Sequence, residues 1–391
     1  MHTLNGEETS MRPAKILLLV ESYFQQRDYR RYGVETMLAN GFEVEIWEVF
    51  RAWRRAYAES YHPPDPSTFP GLRHFRTMDE ICSELERIRP SDAVLALIPD
   101  IYATAPIFRR FAANNIYFGD IRFASLPYPP VRFLCQKSLR SWMDSVYVRL
   151  PRWVRRTCPW RFLLLCGGEN LAVAARGLPI ADAIWTHQLD YDQILEAGRP
   201  VERERPRHLV FLDEYVPFHP DYISKGMEAP TPAEQYYPRL LALFDYVEQK
   251  LGLPIVIAEH PRANYDKHPD YFGGRRVVRG MTCALVRDAA LVIAHCSTAS
   301  NFAVAYSKPV LVVTSDKLKA SDKGPIIAAT AEHLGAPLVN VDKLWRLDAA
   351  RLLRIDADKY ASFRTRVIKR PGTPEKNTWQ TFCEHLRMRQ P

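Results

Sequence analysis

Short apolar runs alternate with longer amphipathic stretches along most of the chain. Runs that predict buried strands lie at residues 15–20, 44–50, 93–98, 162–166 and 183–186, and again at 209–212, 255–258, 291–294 and 310–313. Stretches that predict helices lie at 32–40, 78–88, 232–251, 283–287 and 298–306. Strands and helices that alternate in this way form βαβ units around a parallel sheet. The pattern therefore predicts an α/β protein with doubly wound sheets, whose ligands bind at the carboxyl ends of the strands.

The alternation is interrupted near the middle of the chain by a polar segment, RPVERERPR, at residues 199–207. A length of 391 residues also suits two domains better than one. We therefore predict two Rossmann-like domains, 1–200 and 201–391.

Composition and charge narrow the class of protein only a little. With 47% hydrophobic and 25% charged residues, the chain has the composition of a folded globular protein. The net charge of +8 favours an anionic partner. Nucleic acid is not the predicted partner, because the sequence has no zinc finger, RRM signature or basic helical run. Seven cysteines without a C-x-x-C pair, an N-terminus unlike a signal peptide and apolar runs too short to span a membrane predict a cytoplasmic protein.

Two segments place reactive side chains directly after predicted strands of the second half. Glu259-His260-Pro261 follows the run IVIA, and the segment from His295 to Asn301 follows LVIA and leads into a predicted helix. A helix N-terminus with serine and threonine hydroxyls favours an anion, and an imidazole N–H can donate to the same phosphate. Such donors stabilise the charge that develops on a departing nucleotide. The predicted phosphate contacts are His260, His295, Ser297, Thr298 and Ser300, and Pro261 fixes the orientation of His260.

This pair of motifs resembles the bacterial GT-B glycosyltransferases that use CMP-activated sugars, which include sialyltransferases, polysialyltransferases and Kdo transferases of capsule and lipopolysaccharide assembly. Ser307-Lys308-Pro309-Val310 resembles the same group, and the DYD segment at Asp190-Tyr191-Asp192 resembles a segment near the domain junction of surface-polysaccharide proteins. The resemblance implies two Rossmann-like domains that face a central cleft, with the acceptor bound by residues 1–200 and the nucleotide sugar by 201–391. It implies a first-choice donor of CMP-linked Kdo or nonulosonic acid and a glycan or lipid-linked glycan acceptor. The Asp/Glu-Asp/Glu-Gly motif of the polysialyltransferases is absent.

A transferase of this kind needs a carboxylate that acts as base or nucleophile. Asp213 and Glu214 follow the predicted strand LVFL and are the first candidates, together with His260, for the catalytic group. Glu21, at the end of the first strand, is the competitor in the N-terminal domain. Glu21 and Asp190 are the residues expected to contact the acceptor.

Three further expectations complete the sequence-based hypothesis. No metal and no cofactor beyond the nucleotide sugar are predicted, because the D-x-D pairs lack a strand-then-loop context. The basic aromatic stretch between Arg152 and Arg161 is expected to contact an anionic membrane at its cytoplasmic face. The alternatives are a UDP-sugar transferase or 2-epimerase of the same architecture, and a non-catalytic scaffold of a polysaccharide assembly complex.

Overall fold

The computed structural model describes residues 14–63, 65–125, 139–177, 182–198, 206–225, 227–267, 270–343 and 347–389. The strands are β1 Lys15–Val20, β2 Glu43–Glu48, β3 Leu72–His74, β4 Ala93–Leu97, β5 Phe118–Phe123, β6 Phe162–Cys166, β7 Ala183–Thr186, β8 Leu209–Leu212, β9 Ile255–Ala258, β10 Val277–Val278, β11 Val292–Ala294, β12 Val310–Thr314 and β13 Leu338–Asn340. They form a seven-stranded sheet in the order β3-β2-β1-β4-β5-β6-β7 and a six-stranded sheet in the order β10-β9-β8-β11-β12-β13.

Helices connect the strands and cover the sheets. They are α1 Gln26–Arg31, α2 Val34–Ala39, α3 Arg55–Ser60, α4 Met78–Glu84, α5 Ala105–Ala113, α6 Leu139–Tyr147, α7 Arg152–Arg155, α8 Asp190–Ala197, α9 Pro220–Lys225, α10 Ala233–Leu251, α11 Thr282–Asp288, α12 Ser300–Ala305, α13 Asp316–Ala320, α14 Gly324–Leu334, α15 Ala349–Leu352, α16 Ala357–Phe363 and α17 Thr378–Arg389. Among the described helices, none is both long and apolar enough to cross a membrane.

The apolar runs form strands because parallel sheets are buried on both faces. In β1, Ile16 and Leu18 belong to one hydrophobic cluster, whereas Leu17 and Leu19 belong to the cluster on the other face of the sheet. This division follows the period of two of a β-strand. Both sheets pair in parallel throughout, and both have the strand order of a Rossmann fold. The predicted fold class, two Rossmann-like α/β domains, is confirmed.

The last helix departs from the predicted division at residue 200. Trp379, Phe382 and Cys383 of α17 are buried in the cluster that also contains Ile16 and Leu18 of β1. The Trp379 indole donates a hydrogen bond to the Arg31 carbonyl at 2.9 Å. Helix α17 therefore packs on the N-terminal sheet. Most of the predicted linker, 199–205, lies outside the described residues.

Candidate functional site

The centre of the second sheet is the point where its strand order reverses. The chain runs from β8 to β9 and β10 on one side, and then returns to β11 on the other. Such a reversal opens a crevice at the carboxyl ends of the strands. Asp213 and Glu214 follow β8, His260 lies two residues after β9, and His295 follows β11. The structure thus brings these four predicted site residues to one edge of the sheet.

Asp213 holds the β9 loop in place. Its carboxylate accepts hydrogen bonds from the backbone N–H groups of Tyr215 (2.9 Å) and His260 (3.2 Å) and from the Tyr265 hydroxyl (2.9 Å). The side chain is only 4% exposed, and burial raises the pKa of Asp213 to about 6 although these donors oppose the shift. With both oxygens engaged and almost no exposed surface, Asp213 holds the loop after β9. Its role as base or nucleophile stays a prediction.

Glu214 reaches in the opposite direction from its neighbour, as adjacent residues at a strand end do. Its carboxylate accepts from the backbone N–H of Cys296 at 2.6 Å and pairs with the Lys323 ammonium at 3.2 Å. Burial raises the pKa of Glu214, but the charges of Lys323 and His295 outweigh burial and hold the pKa below its usual value. Glu214 is buried and ties the ends of β8 and β11 together. The structure leaves it, like Asp213, little access to a substrate.

His260 is part of a pair of matched His-Pro turns. In the first, the His219 Nδ1 lies 3.2 Å from the backbone N–H of Asp221; in the second, the His260 Nδ1 accepts from the N–H of Arg262 at the same distance. The centroids of the two rings are 4.9 Å apart, and the ring planes are tilted by 60°. Because Nδ1 of His260 accepts, its proton lies on Nε2. Burial, with the charges of His219 and Arg262 as further causes, puts the pKa of His260 well below its usual value. His260 is therefore a neutral ring that offers one N–H.

His295 and Ser300 are both buried. The His295 Nδ1 lies 2.6 Å from the Val313 carbonyl, which can only accept, and its Nε2 lies 2.7 Å from the Tyr236 hydroxyl. Both ring nitrogens are thus occupied in the interior, and the ring is 1% exposed. The predicted phosphate contact of His295 is therefore corrected to a core hydrogen bond. Ser300 is 3% exposed, and its hydroxyl has no hydrogen-bond partner among the described residues.

Ser297 and Thr298 lie at the crevice but do not cap the helix. Helix α12 begins at Ser300, its N-cap residue is Ala299, and no side chain caps it. The predicted helix start at residue 298 is therefore wrong by two residues. The Ser297 hydroxyl instead accepts from the Ala299 N–H at 3.3 Å, which forms a tight turn. Thr298 and Pro261 are exposed at the surface of the two loops.

Three cations around His260 were not singled out from the sequence. The charges of Arg262, Arg27 and Lys323 each lower the pKa of His260, although these residues come from three distant parts of the chain. Arg262 pairs with Asp221 at 2.9 Å, and its buried Nε has no hydrogen-bond partner among the described residues. The repeated His-Pro at residues 219 and 260 was a readable sequence signal for this cluster. Nothing in the local sequence marks Arg27, because only the docking of the two halves brings it here.

The first sheet has its own cleft, of about 370 Å³, at the corresponding edge. It is lined by Val20, Glu21, Ser22, Tyr23, Phe24, Arg27, Asp28, Arg31, Tyr32, Leu97, Ile98, Pro99, Asp120, Ile121, Arg122 and Phe123. Glu21 pairs with Arg54 at 3.0 Å. Burial raises the pKa of Glu21, Arg54 opposes the rise, and the negative charge of Asp221 from the other half adds to it. Glu21 therefore faces the junction between the two halves, where α3 packs against α9.

Two other acidic residues bear on this cleft in different ways. Burial raises the pKa of Asp120 to about 6, although Arg122 pairs with it at 2.8 Å. Asp190, predicted to contact the acceptor, begins α8 outside the lining; burial raises its pKa, and the charge of Arg31 opposes the rise. Within the described residues, no group of three or more His, Cys, Asp or Glu is arranged to hold a metal ion.

Comparison with known proteins identifies the architecture alone. No protein-family model matches the chain, and no curated protein sequence matches it. Among solved structures, LpCGTa in complex with UDP aligns over 96% of this chain and 99% of its own, with a TM-score of 0.53 and 13% identity. The wall teichoic acid polymerase TagF, as a point variant, aligns over 97% and 89%, with a TM-score of 0.51 and 10% identity. The chain thus has the two-domain GT-B architecture.

Proposed function

We propose that this protein is a glycosyltransferase that transfers a sugar from a nucleotide donor, bound at the edge of the second sheet, to an acceptor in the cleft of the first. The observation that carries the proposal is the convergence of His260, Arg262, Lys323 and Arg27 at the crevice of the second sheet, opposite that cleft. Cations and a fixed N–H are what a nucleotide phosphate requires. LpCGTa was solved with UDP, and TagF is a polymerase of wall teichoic acid, so the architecture suits this chemistry.

The leaving nucleotide would be stabilised by side chains of both loops. His260 is neutral and donates from Nε2, while Ser297 and Thr298 offer hydroxyls from the neighbouring loop. Asp213 and Glu214 hold these two loops at a fixed separation through their bonds to His260 and Cys296. Donors that are positioned before the reaction stabilise developing charge without reorganisation.

The first-choice donor remains a CMP-linked acidic sugar, Kdo or a nonulosonic acid. Such a sugar brings a carboxylate in addition to the phosphate, and the crevice carries more than one cation to receive the two groups. Arg262 has an unpartnered Nε among the described residues, and Arg27 lines both the cleft and the approach to His260. The second candidate function is that of a UDP-sugar transferase or 2-epimerase. The third is that of a scaffold without catalytic activity.

Glu21 is the carboxylate best placed to deprotonate the acceptor. It lines the cleft, faces the second half, and has a raised pKa, whereas Asp213 and Glu214 are buried and engaged. A positioned general base contributes about 10² to 10⁴ in rate. The acceptor class follows from the resemblance: a glycan or lipid-linked glycan.

The first test measures the binding of CMP, CDP, UMP, UDP and GDP to wild type and to His260→Ala, by thermal shift and by calorimetry. Selective CMP binding that weakens in His260→Ala supports the CMP-sugar proposal, because the variant loses the Nε2 donor. His333→Ala, a half-buried histidine of α14, is the control and should bind as wild type does. A preference for UDP or GDP would change the donor class, and absence of binding to every nucleotide would contradict the transferase.

A second arm separates chemistry from binding. Glu21→Gln should keep the nucleotide affinity and lose about 10² or more in kcat with the matching donor and acceptor. Glu35→Gln, an exposed acid of α2, is the control. An unchanged kcat in Glu21→Gln would remove Glu21 from the mechanism while leaving the nucleotide site intact.

A further inference from the structure

Six large apolar side chains are exposed on α6, on α7 and in the turn between them. Within residues 142–154, the exposed ones are Trp142 (57%), Val146 (38%), Val148 (48%), Leu150 (37%), Trp153 (81%) and Val154 (40%). Trp142 and Val146 are one helical turn apart and so share a face of α6. Single exposed apolar residues need no explanation, but a contiguous group of them marks an interaction site. Residues 142–161 are called the α6–α7 surface below.

The same surface is strongly basic. It carries five arginines, Arg149, Arg152, Arg155, Arg156 and Arg161, against one acidic residue, Asp144. Arg152 lies over the Trp160 ring at 5.4 Å, and Arg122 of the cleft lies over the same ring at 4.7 Å. Tryptophan beside arginine is the composition that anchors proteins at the headgroup level of a membrane.

Asp100 fixes the α6–α7 surface to the body of the first domain. Its carboxylate accepts from the Tyr147 hydroxyl of α6 at 3.4 Å and from the Arg155 guanidinium of α7 at 2.6 Å. Asp100 follows Leu97, Ile98 and Pro99, which line the cleft of the first sheet. The helices that carry the exposed tryptophans are therefore anchored next to residues that line that cleft.

We propose that the α6–α7 surface docks on an anionic phospholipid membrane and thereby turns the cleft of the first sheet toward the bilayer. The exposed apolar side chains would enter the headgroup region, and the exposed Arg149, Arg156 and Arg161 would pair with lipid phosphates. This orientation suits an acceptor that is itself linked to a lipid. That last consequence rests on the proposed transferase activity; the docking does not.

Vesicle co-sedimentation tests the docking without any activity measurement. The full chain is mixed with phosphatidylcholine vesicles, with or without phosphatidylglycerol, at low and at high salt. We expect binding only to the phosphatidylglycerol vesicles, and release at high salt because the Debye length shortens. Quenching of tryptophan fluorescence by brominated lipid should accompany binding, since among the described tryptophans Trp142 and Trp153 are the exposed ones.

Variants with matched controls decide the outcome. Trp142→Ser with Trp153→Ser should weaken vesicle binding by about tenfold or more, and Arg149→Glu by about tenfold. Met388→Ser, at the same 81% exposure as Trp153, and the exposed Arg351→Glu should bind as wild type does. Vesicle binding that these surface variants leave unchanged, or no binding at low salt, would overturn the proposal. A concentration-dependent dimer lost in the tryptophan variant, without vesicle binding, would overturn it in favour of a second copy as the partner.

Discussion

Three carboxylates illustrate how environment assigns roles at the scale of single residues. Asp213 and Glu214 are neighbours in sequence, but burial raises the pKa of Asp213, whereas Lys323 and His295 outweigh burial and lower that of Glu214. Both carboxylates accept hydrogen bonds that hold the loops after β9 and β11. Glu21 follows the first strand as they follow β8, yet it lines an open cleft. Position after a strand selects all three from the sequence, and only the hydrogen-bond partners separate positioning groups from a candidate base.

The raised pKa of Asp213 predicts a pH-dependent effect on stability. A carboxyl with a folded pKa of about 6 contributes most below its unfolded value, near 4, and that contribution is lost as the pH rises through 6. Asp213→Asn, which cannot ionise, should therefore gain stability relative to wild type between pH 4 and pH 7, by roughly 3 kcal/mol at most. Melting temperatures of both proteins across this range measure it. Asp358→Asn, an exposed residue of α16, is the control, and a constant difference between Asp213→Asn and wild type would contradict the assignment.

At the scale of elements, the adjacent carboxylates act as a clamp on three strand ends. Asp213 binds the loop after β9, and Glu214 binds the loop after β11 together with Lys323, which immediately precedes α14. Gly324 begins that helix where a Cβ would lie 2.2 Å from the Lys319 carbonyl, so the turn that presents Lys323 requires glycine. The clamp fixes the crevice before any ligand arrives.

Removing one partner of the Glu214–Lys323 ion pair should lower the free energy of unfolding more than removing both partners does. Lys323→Met leaves the Glu214 charge buried without its partner, which costs about 3 to 5 kcal/mol. Adding Glu214→Gln should restore part of this loss, because no uncompensated charge remains. Urea denaturation of the single and double variants provides the measurement. Lys343→Met, whose ion pair with Asp316 is exposed, should change stability by less than about 1 kcal/mol; a Lys323→Met effect equally small would contradict a structural clamp.

The sequence predicted the central strands better than the edges. The central strands β1, β6, β8 and β9 have the predicted limits, because a strand that is buried on both faces is a continuous apolar run; the edge strand β7 has the predicted limits too. The edge strands β3, β10 and β13 are two or three residues long and carry no such run. Strand β5, FGDIRF, was missed because two charged residues interrupt its apolar pattern. The same holds for the residues of the candidate site. His260 was predicted because it follows a clear strand, whereas Arg27 was not, because only the packing of the two domains brings it to the site.

At the scale of the whole molecule, the end of the chain completes the first domain. Helix α17 packs on α2 and β7, and its Trp379 indole binds the carbonyl of Arg31, which lines the cleft. Gly33 lies so close to this indole that a Cβ there would lie 1.9 Å from the ring. Strand β1 and helix α17 thus lie on the same sheet, so the cleft depends on segments that are far apart in the sequence.

This return of the chain predicts that a change near the C-terminus weakens the N-terminal half. Trp379→Ala removes a side chain that is 1% exposed, which typically costs about 3 to 5 kcal/mol. Hydrogen exchange should then show lost protection in β1 and β2, with β8 and β11 unchanged, because the indole packs on the first sheet. Tyr360→Ala is the matched control. Tyr360 is 2% exposed, lies closer to the middle of the chain and belongs to the core of the second sheet. The variant should loosen β12 and leave β1 protected. If Trp379→Ala instead loosened both sheets equally, the two domains would unfold as one unit, which would contradict this prediction.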